Sequence, residues 1–207
     1  MAASLHDYFS NIANQSRDLM NRLPIAREIE PLPETFGRLR PIFADLRADE
    51  VSRLQSVLRP PPRSTNGEPA GMNTIGILAD RLTILVCKEW YVRNRQKRPA
   101  DADEVGRQIG DIVSALAAAR PGHPKLLEKV SSRNLALEVA SFEEAYYGLL
   151  EGNILLWETQ EMLYLRDMES VPAEDLRDYI RFFSQANMQR NAYISYCEQV
   201  YWSQGAS

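Results

Sequence analysis

Three short stretches set polar side chains into otherwise apolar runs, at spacings that can assemble chemistry. In ILADRLTILVCKEW (77–90), Asp80 and Lys88 lie eight residues apart with Ile84 between them. On a helix that is about 80° of azimuth, so the two share a broad face. In GNILLWETQE (152–161), Asn153 and Gln160 are seven apart and nearly eclipsed, with Trp157 between them and Glu161 alongside. In SQANMQRNAY (184–193), Asn187, Arg190 and Asn191 fall at i, i+3 and i+4, one side of one turn. If the three faces meet, two outcomes are open. A cleft would let Arg190 hold a small anionic ligand, Asp80 or Glu161 act as acid or base, and Asn153, Asn187 and Asn191 orient the substrate. Alternatively, the groups satisfy one another as a structural network, or each lies on a solvated face. An unpaired buried amide costs about 1 to 3 kcal/mol, so Asn153 needs partners if it is inside.

Other chemistries have less support. Only His6 and His123 are present, and neither follows a glutamate at the Glu-x-x-His spacing of helical di-iron sites. His123, between Gly122 and Pro124, reads as a turn residue. Carboxylate-only magnesium binding by Asp80, Glu143, Glu144, Glu158 and Glu161 is not selected by any spacing. Neither a phosphate loop nor a nucleophile elbow appears. Cys87 and Cys197, far apart in sequence, read as small core residues rather than a disulfide or zinc ligands. No cofactor is implied and no metal site is expected.

The elements that must position these residues are helices. The 207 residues are 44% hydrophobic and 25% charged with net charge −4, and mean hydropathy is −0.36. Those values suit one folded domain without a generic pull toward nucleic acid or anionic membrane. No window approaches the roughly 18 to 20 apolar residues of a membrane span. The first residues lack the pattern of a secretory signal, so a cytoplasmic location is expected.

Between glycine and proline marks the periodicity is helical almost throughout, which predicts an all-α, antiparallel helical bundle with an N-terminal helical arm. The arm, residues 1–58, contains a helix capped by Ser4 or Asp7 and running to about Arg22, with Leu5, Phe9, Ile12, Leu19 and Leu23 along one side. Two shorter helices follow, one from about Glu34 to Leu46 stepped by Pro41, and one from Asp49 to Leu58. Residues 59–73, RPPPRSTNGEPAGMN, form a Pro-rich loop. Residues 74–204 form the bundle core. Its first helix runs from Thr74 to Arg95, with Ile75, Leu78, Leu82, Leu85, Val86 and Trp90 as an apolar stripe. A second, capped by Asp101 or Asp103, reaches Ala119. A long helix-compatible run from Pro124 to Asp167 has room for a kink at Gly148 or Gly152. The last helix, capped by Ser170 with Pro172 in its first turn, runs to Trp202. Its aromatics (Tyr179, Phe182, Phe183, Tyr193, Tyr196, Tyr201 and Trp202) suit core and oligomer contacts. The basic run Val92 to Arg98 complements a helix C-terminus.

The blocks ILADRLTIL (77–85), NILLWETQE (153–161) and NMQRN (187–191) resemble, in order and spacing, a small all-helical bacterial family of unknown function. Its pattern is Asp-Arg/Lys-Leu-x-Ile, then Asn-x-x-Leu-Trp-x-x-Glu-Asp, then Asn-Gln-x-Arg-Asn. The resemblance covers about residues 74 to 200 and points to Asp80, Arg81, Asn153, Trp157, Glu161, Asn187, Arg190 and Asn191. Gln160-Glu161 stands where the family has Glu-Asp, and Met188 replaces a glutamine. The resemblance implies a cytoplasmic protein in a surface-polysaccharide or glycosyltransferase context. Two expectations follow: an accessory protein contacting a protein partner or a second copy of itself, or a metal-independent enzyme or binding protein with a polar cleft.

Overall fold

The computed structural model describes residues 4–28, 30, 32–57, 72–122, 137–165 and 168–203. Among the described residues six α-helices pack together: α1 (Leu5–Arg22), α2 (Leu32–Val57), α3 (Ile75–Asn94), α4 (Pro99–Ala117), α5 (Phe142–Leu165) and α6 (Ala173–Ser203). Among the described residues there is no strand. The side-chain pairs fix direction: Arg93 meets Asp103, Asp80 meets Arg190, Arg47 meets Glu151, and Met162 meets Tyr179. Rising numbers on one partner match falling numbers on the other between α3 and α6, where Gly76 lies on Ile194, and between α5 and α6, where Gly148 lies under Tyr193. The packing is antiparallel at both interfaces.

The helix ends follow local chemistry. Ser4 and Asp7 together form a capping box on α1. Thr74 caps α3 by accepting from the Ile77 amide. Neither Asp101 nor Asp103 caps α4: Pro99 opens that helix behind Arg98, which makes no side-chain cap bond. Proline at the first position forfeits an amide that has no intrahelical partner anyway, so Asp101 is left in the first turn and Asp103 pairs with Arg93. Ser170 lies in a short 3-10 turn, Met168–Ser170, just ahead of α6. The Pro172 carbonyl then takes the Leu176 amide.

The two expected pieces of the arm are one helix, α2, with Pro41 inside it. Pro41 and the residue four before it, Gly37, are both exposed. The missing hydrogen bond and the ring therefore fall on the solvent side, where the freed carbonyl can tilt toward water. The bundle core includes residues from the expected arm: Tyr8, Phe9, Ile12, Leu19 and Met20 of α1 and Leu39, Phe43, Val51 and Leu54 of α2 lie in one cluster with α3, α5 and α6. The Phe9 ring stacks on Tyr201 at 5.8 Å, joining α1 to α6. His123 and most of the Pro-rich loop lie outside the described residues, as does part of the run from Pro124.

Gly148 and Gly152 both face α6. A Cβ at Gly148 would run into the Tyr193 ring, whereas one at Gly152 would only touch Arg190 Cβ at 4.0 Å. Gly148 thus lets α6 approach closely enough to seat Tyr193. At the neighbouring residue of α6, facing α3, a Cβ on Gly76 would run into the Ile194 carbonyl oxygen. There the two backbones nearly touch, and Glu198 secures the approach by accepting from the Gly76 amide at 3.0 Å, the Gly122 amide at 2.6 Å and Trp202 Nε1 at 2.9 Å.

Candidate functional site

Asp80 of α3, Asn153 of α5 and Arg190 of α6 come together. Arg190 donates from Nε to Asp80 Oδ1 at 2.7 Å and from Nη2 to Oδ2 at 2.5 Å, a two-pronged ion pair. The Asn153 amide donates to Asp80 Oδ1 at 3.1 Å and to Thr83 Oγ1 at 2.8 Å, and the Thr83 hydroxyl in turn donates to the Asp80 carbonyl at 2.9 Å. Asp80, Thr83 and Asn153 are buried. Asn153 therefore sits among leucines because a buried carboxylate beside it needs a donor. Only the Arg190 side chain, 26% exposed, reaches solvent appreciably.

One to two turns further along α5 lies a second cluster, centred on Arg95. Its Nη2 reaches both Glu158 oxygens, at 2.8 and 2.9 Å, while Nη1 donates to Glu161. Nε and Nη2 also donate to the Ala26 carbonyl at 3.1 and 3.0 Å. Glu158 accepts from the Tyr91 hydroxyl as well. Trp157 stacks on Tyr91 with ring centroids 5.0 Å apart and planes 4° from parallel, and its Nε1 donates to Glu161 at 3.0 Å. The Arg95 guanidinium lies 4.8 Å from the Tyr91 ring centre. Burial pushes the Tyr91 hydroxyl well above its usual range, and the Glu158 charge adds to this. Burial by itself would depress Arg95, but the Glu158 charge and hydrogen bond outweigh it and hold the guanidinium above its ordinary value.

The ten residues singled out from sequence thus divide. Asp80, Asn153 and Arg190 make the first cluster, and Trp157 and Glu161 belong to the second. Arg81, Lys88 and Gln160 are exposed. Lys88 lies about 12 Å along α3 from Asp80 and Gln160 about 10 Å along α5 from Asn153, so sharing a face does not bring either to the Asp80 carboxylate. The Asn187 amide donates back to the Phe183 carbonyl at 3.0 Å, and Asn191 is half-buried. Thr83, Glu158 and Arg95 complete the two clusters, and sequence reasoning did not select them as site residues. The signal for Arg95 was the Glu158/Glu161 pair, two carboxylates three residues apart that call for a cation; reading 92–98 as one basic patch concealed it.

The remaining carboxylates considered for magnesium have other roles. Glu143 accepts from the Tyr8 hydroxyl, and Glu144 accepts from the Ala140 amide at 2.6 Å. Among the described residues no group of three or more His, Cys, Asp and Glu side chains is placed to hold a metal ion. Cys87 and Cys197 are buried free thiols, and burial, reinforced by nearby carboxylates, pushes both up out of the range in which a thiolate forms at neutral pH. The larger cavities bounded by described residues open elsewhere, one beside Arg17 and Glu89 and another between α2 and the start of α5. No family model, curated protein or solved structure matches the chain.

Proposed function

We propose that this chain is a helical accessory or interaction protein of a biosynthetic pathway, acting in the cytoplasm, and that its simplest partner is a second copy of itself. The observation that carries the reading is a set of apolar side chains left in water at one end of the bundle. Tyr164 and Leu165, in the last turn of α5, are 78% and 68% exposed, and Ile180 of α6 is 57% exposed. The Tyr179 to Met162 contact places both segments at that end. Exposed apolar groups gathered in one region suit protein contact better than solvent. The polar clusters support the same reading from the other side, because Asp80, Asn153 and Arg190 spend their hydrogen bonds on each other, as a network fixing helix register would. A ligand cleft at this point would require Arg190 to release Asp80. The pathway context rests on the three resembling blocks alone.

Light scattering on the full chain across a concentration series tests the self-contact. A dimer is expected at about 100 µM, and Leu165→Glu with Ile180→Glu should shift the equilibrium to monomer by at least about tenfold in Kd. The melting temperature should be nearly unchanged, since both residues are exposed. A parent chain that stays monomeric over the whole series overturns the reading.

A further inference from the structure

A cavity of about 420 Å³ opens between one face of α2, residues 138–139, Glu144 of α5 and Tyr193 of α6. That volume lies within the range of small-molecule sites. Its walls differ in chemistry. Arg47, Tyr193, Glu138 and Glu144 line it with polar and charged groups, and Ala48 and Val51 supply apolar surface.

Arg47 is held differently from the other partly buried guanidiniums. Arg190 grips one carboxylate with two nitrogens, and Arg95 holds two carboxylates, Glu158 through Nη2 and Glu161 through Nη1. Arg47 makes one long bond to Glu151, at 3.3 Å, and is 33% exposed. It also bonds the Tyr193 hydroxyl, whose ionisation burial opposes while the Arg47 charge favours it. A guanidinium has five donor hydrogens in a fork that suits a carboxylate, so Arg47 retains capacity toward the cavity. Gly148 contributes by leaving room for the Tyr193 ring that closes the site.

Charge narrows the ligand class. Among the described residues that line the cavity, Glu138 and Glu144 outnumber Arg47, an excess of negative charge. A purely anionic ligand would meet that excess, and a simple diamine would leave the remaining Arg47 donors unused. We propose that this cavity binds an amino acid with a basic side chain, its carboxylate on Arg47 and the Tyr193 hydroxyl and its cationic groups facing Glu138 and Glu144. The site lies toward the start of α5, away from the exposed end at Tyr164 and Leu165, so ligand binding and self-association can be lost separately.

Isothermal titration of the full chain with L-lysine, norleucine and cadaverine tests the assignment. Norleucine lacks the side-chain cation and cadaverine lacks the carboxylate. Lysine should bind with millimolar affinity or better, and each analogue should bind at least about tenfold more weakly. Arg47→Gln should erase the preference for lysine over cadaverine, and Glu138→Gln should reduce that for lysine over norleucine. Tyr193→Phe, which keeps the ring over Gly148, repeats the carboxylate test if Arg47→Gln fails to fold. No lysine binding up to about 10 mM, or equal affinity for lysine and cadaverine in the parent chain, overturns the proposal.

Discussion

At the scale of single residues, the chain's polar core works by pairing. Arg190→Leu would leave Asp80 with the Asn153 amide but no cation. The expected loss is about 2 to 4 kcal/mol, around the lower part of the range for breaking a buried pair, because a quarter of the Arg190 side chain still reaches water. Adding Asp80→Leu to that variant should recover part of the loss, since the uncompensated charge is then gone as well; urea denaturation of the two single variants and the double one checks both statements. Much of this cluster is legible in sequence. An amide inside a leucine-rich run, an aspartate within an apolar stripe and an arginine on the last helix each imply a buried polar partner, and they partner one another. Thr83 is harder to read because threonine suits a core helix position with no outside partner, its hydroxyl bonding back to its own helix as it does here to the Asp80 carbonyl.

At the scale of the elements, glycine separates contacts that must be close from positions that merely lack a side chain. Gly76→Ala drives a methyl against the Ile194 carbonyl, and neither backbone can yield without parting α3 from α6. A loss at the upper end of the overpacking range, about 3 kcal/mol, is expected. Gly110→Ala, within α4 and with nothing within 4 Å of its new Cβ, should instead gain about 0.5 to 1 kcal/mol from helix propensity. Chemical denaturation of the pair gives opposite signs if the α3–α6 contact is as close as described. Helix identity and most boundaries follow from apolar period and caps, as Thr74 and Ser4 illustrate. The continuity of α2 through Pro41 does not, because a proline's cost depends on which side of the helix faces water, and only the packed bundle decides that.

For the whole molecule, stability should carry a pH signature from Glu151. Burial raises its carboxyl above the ordinary value of 4.5 despite Arg47 and Arg40 nearby. The folded chain therefore holds that proton more tightly than the unfolded chain does. Its contribution is complete below the unfolded value and is lost as pH rises through the higher folded one. Glu151→Gln should accordingly raise the urea midpoint at pH 7 and change it much less at pH 4; an equal shift at both would contradict the assignment. The grip of Arg95 on the Ala26 carbonyl has a different reach. Because the acceptor is main chain, any side chain at position 26 presents the same oxygen, and scanning residues 24–28 by substitution would score that connection as permissive. Replacing the amide between residues 26 and 27 with an ester, which weakens the carbonyl without altering any side chain, would uncover a dependence that conventional mutagenesis passes over.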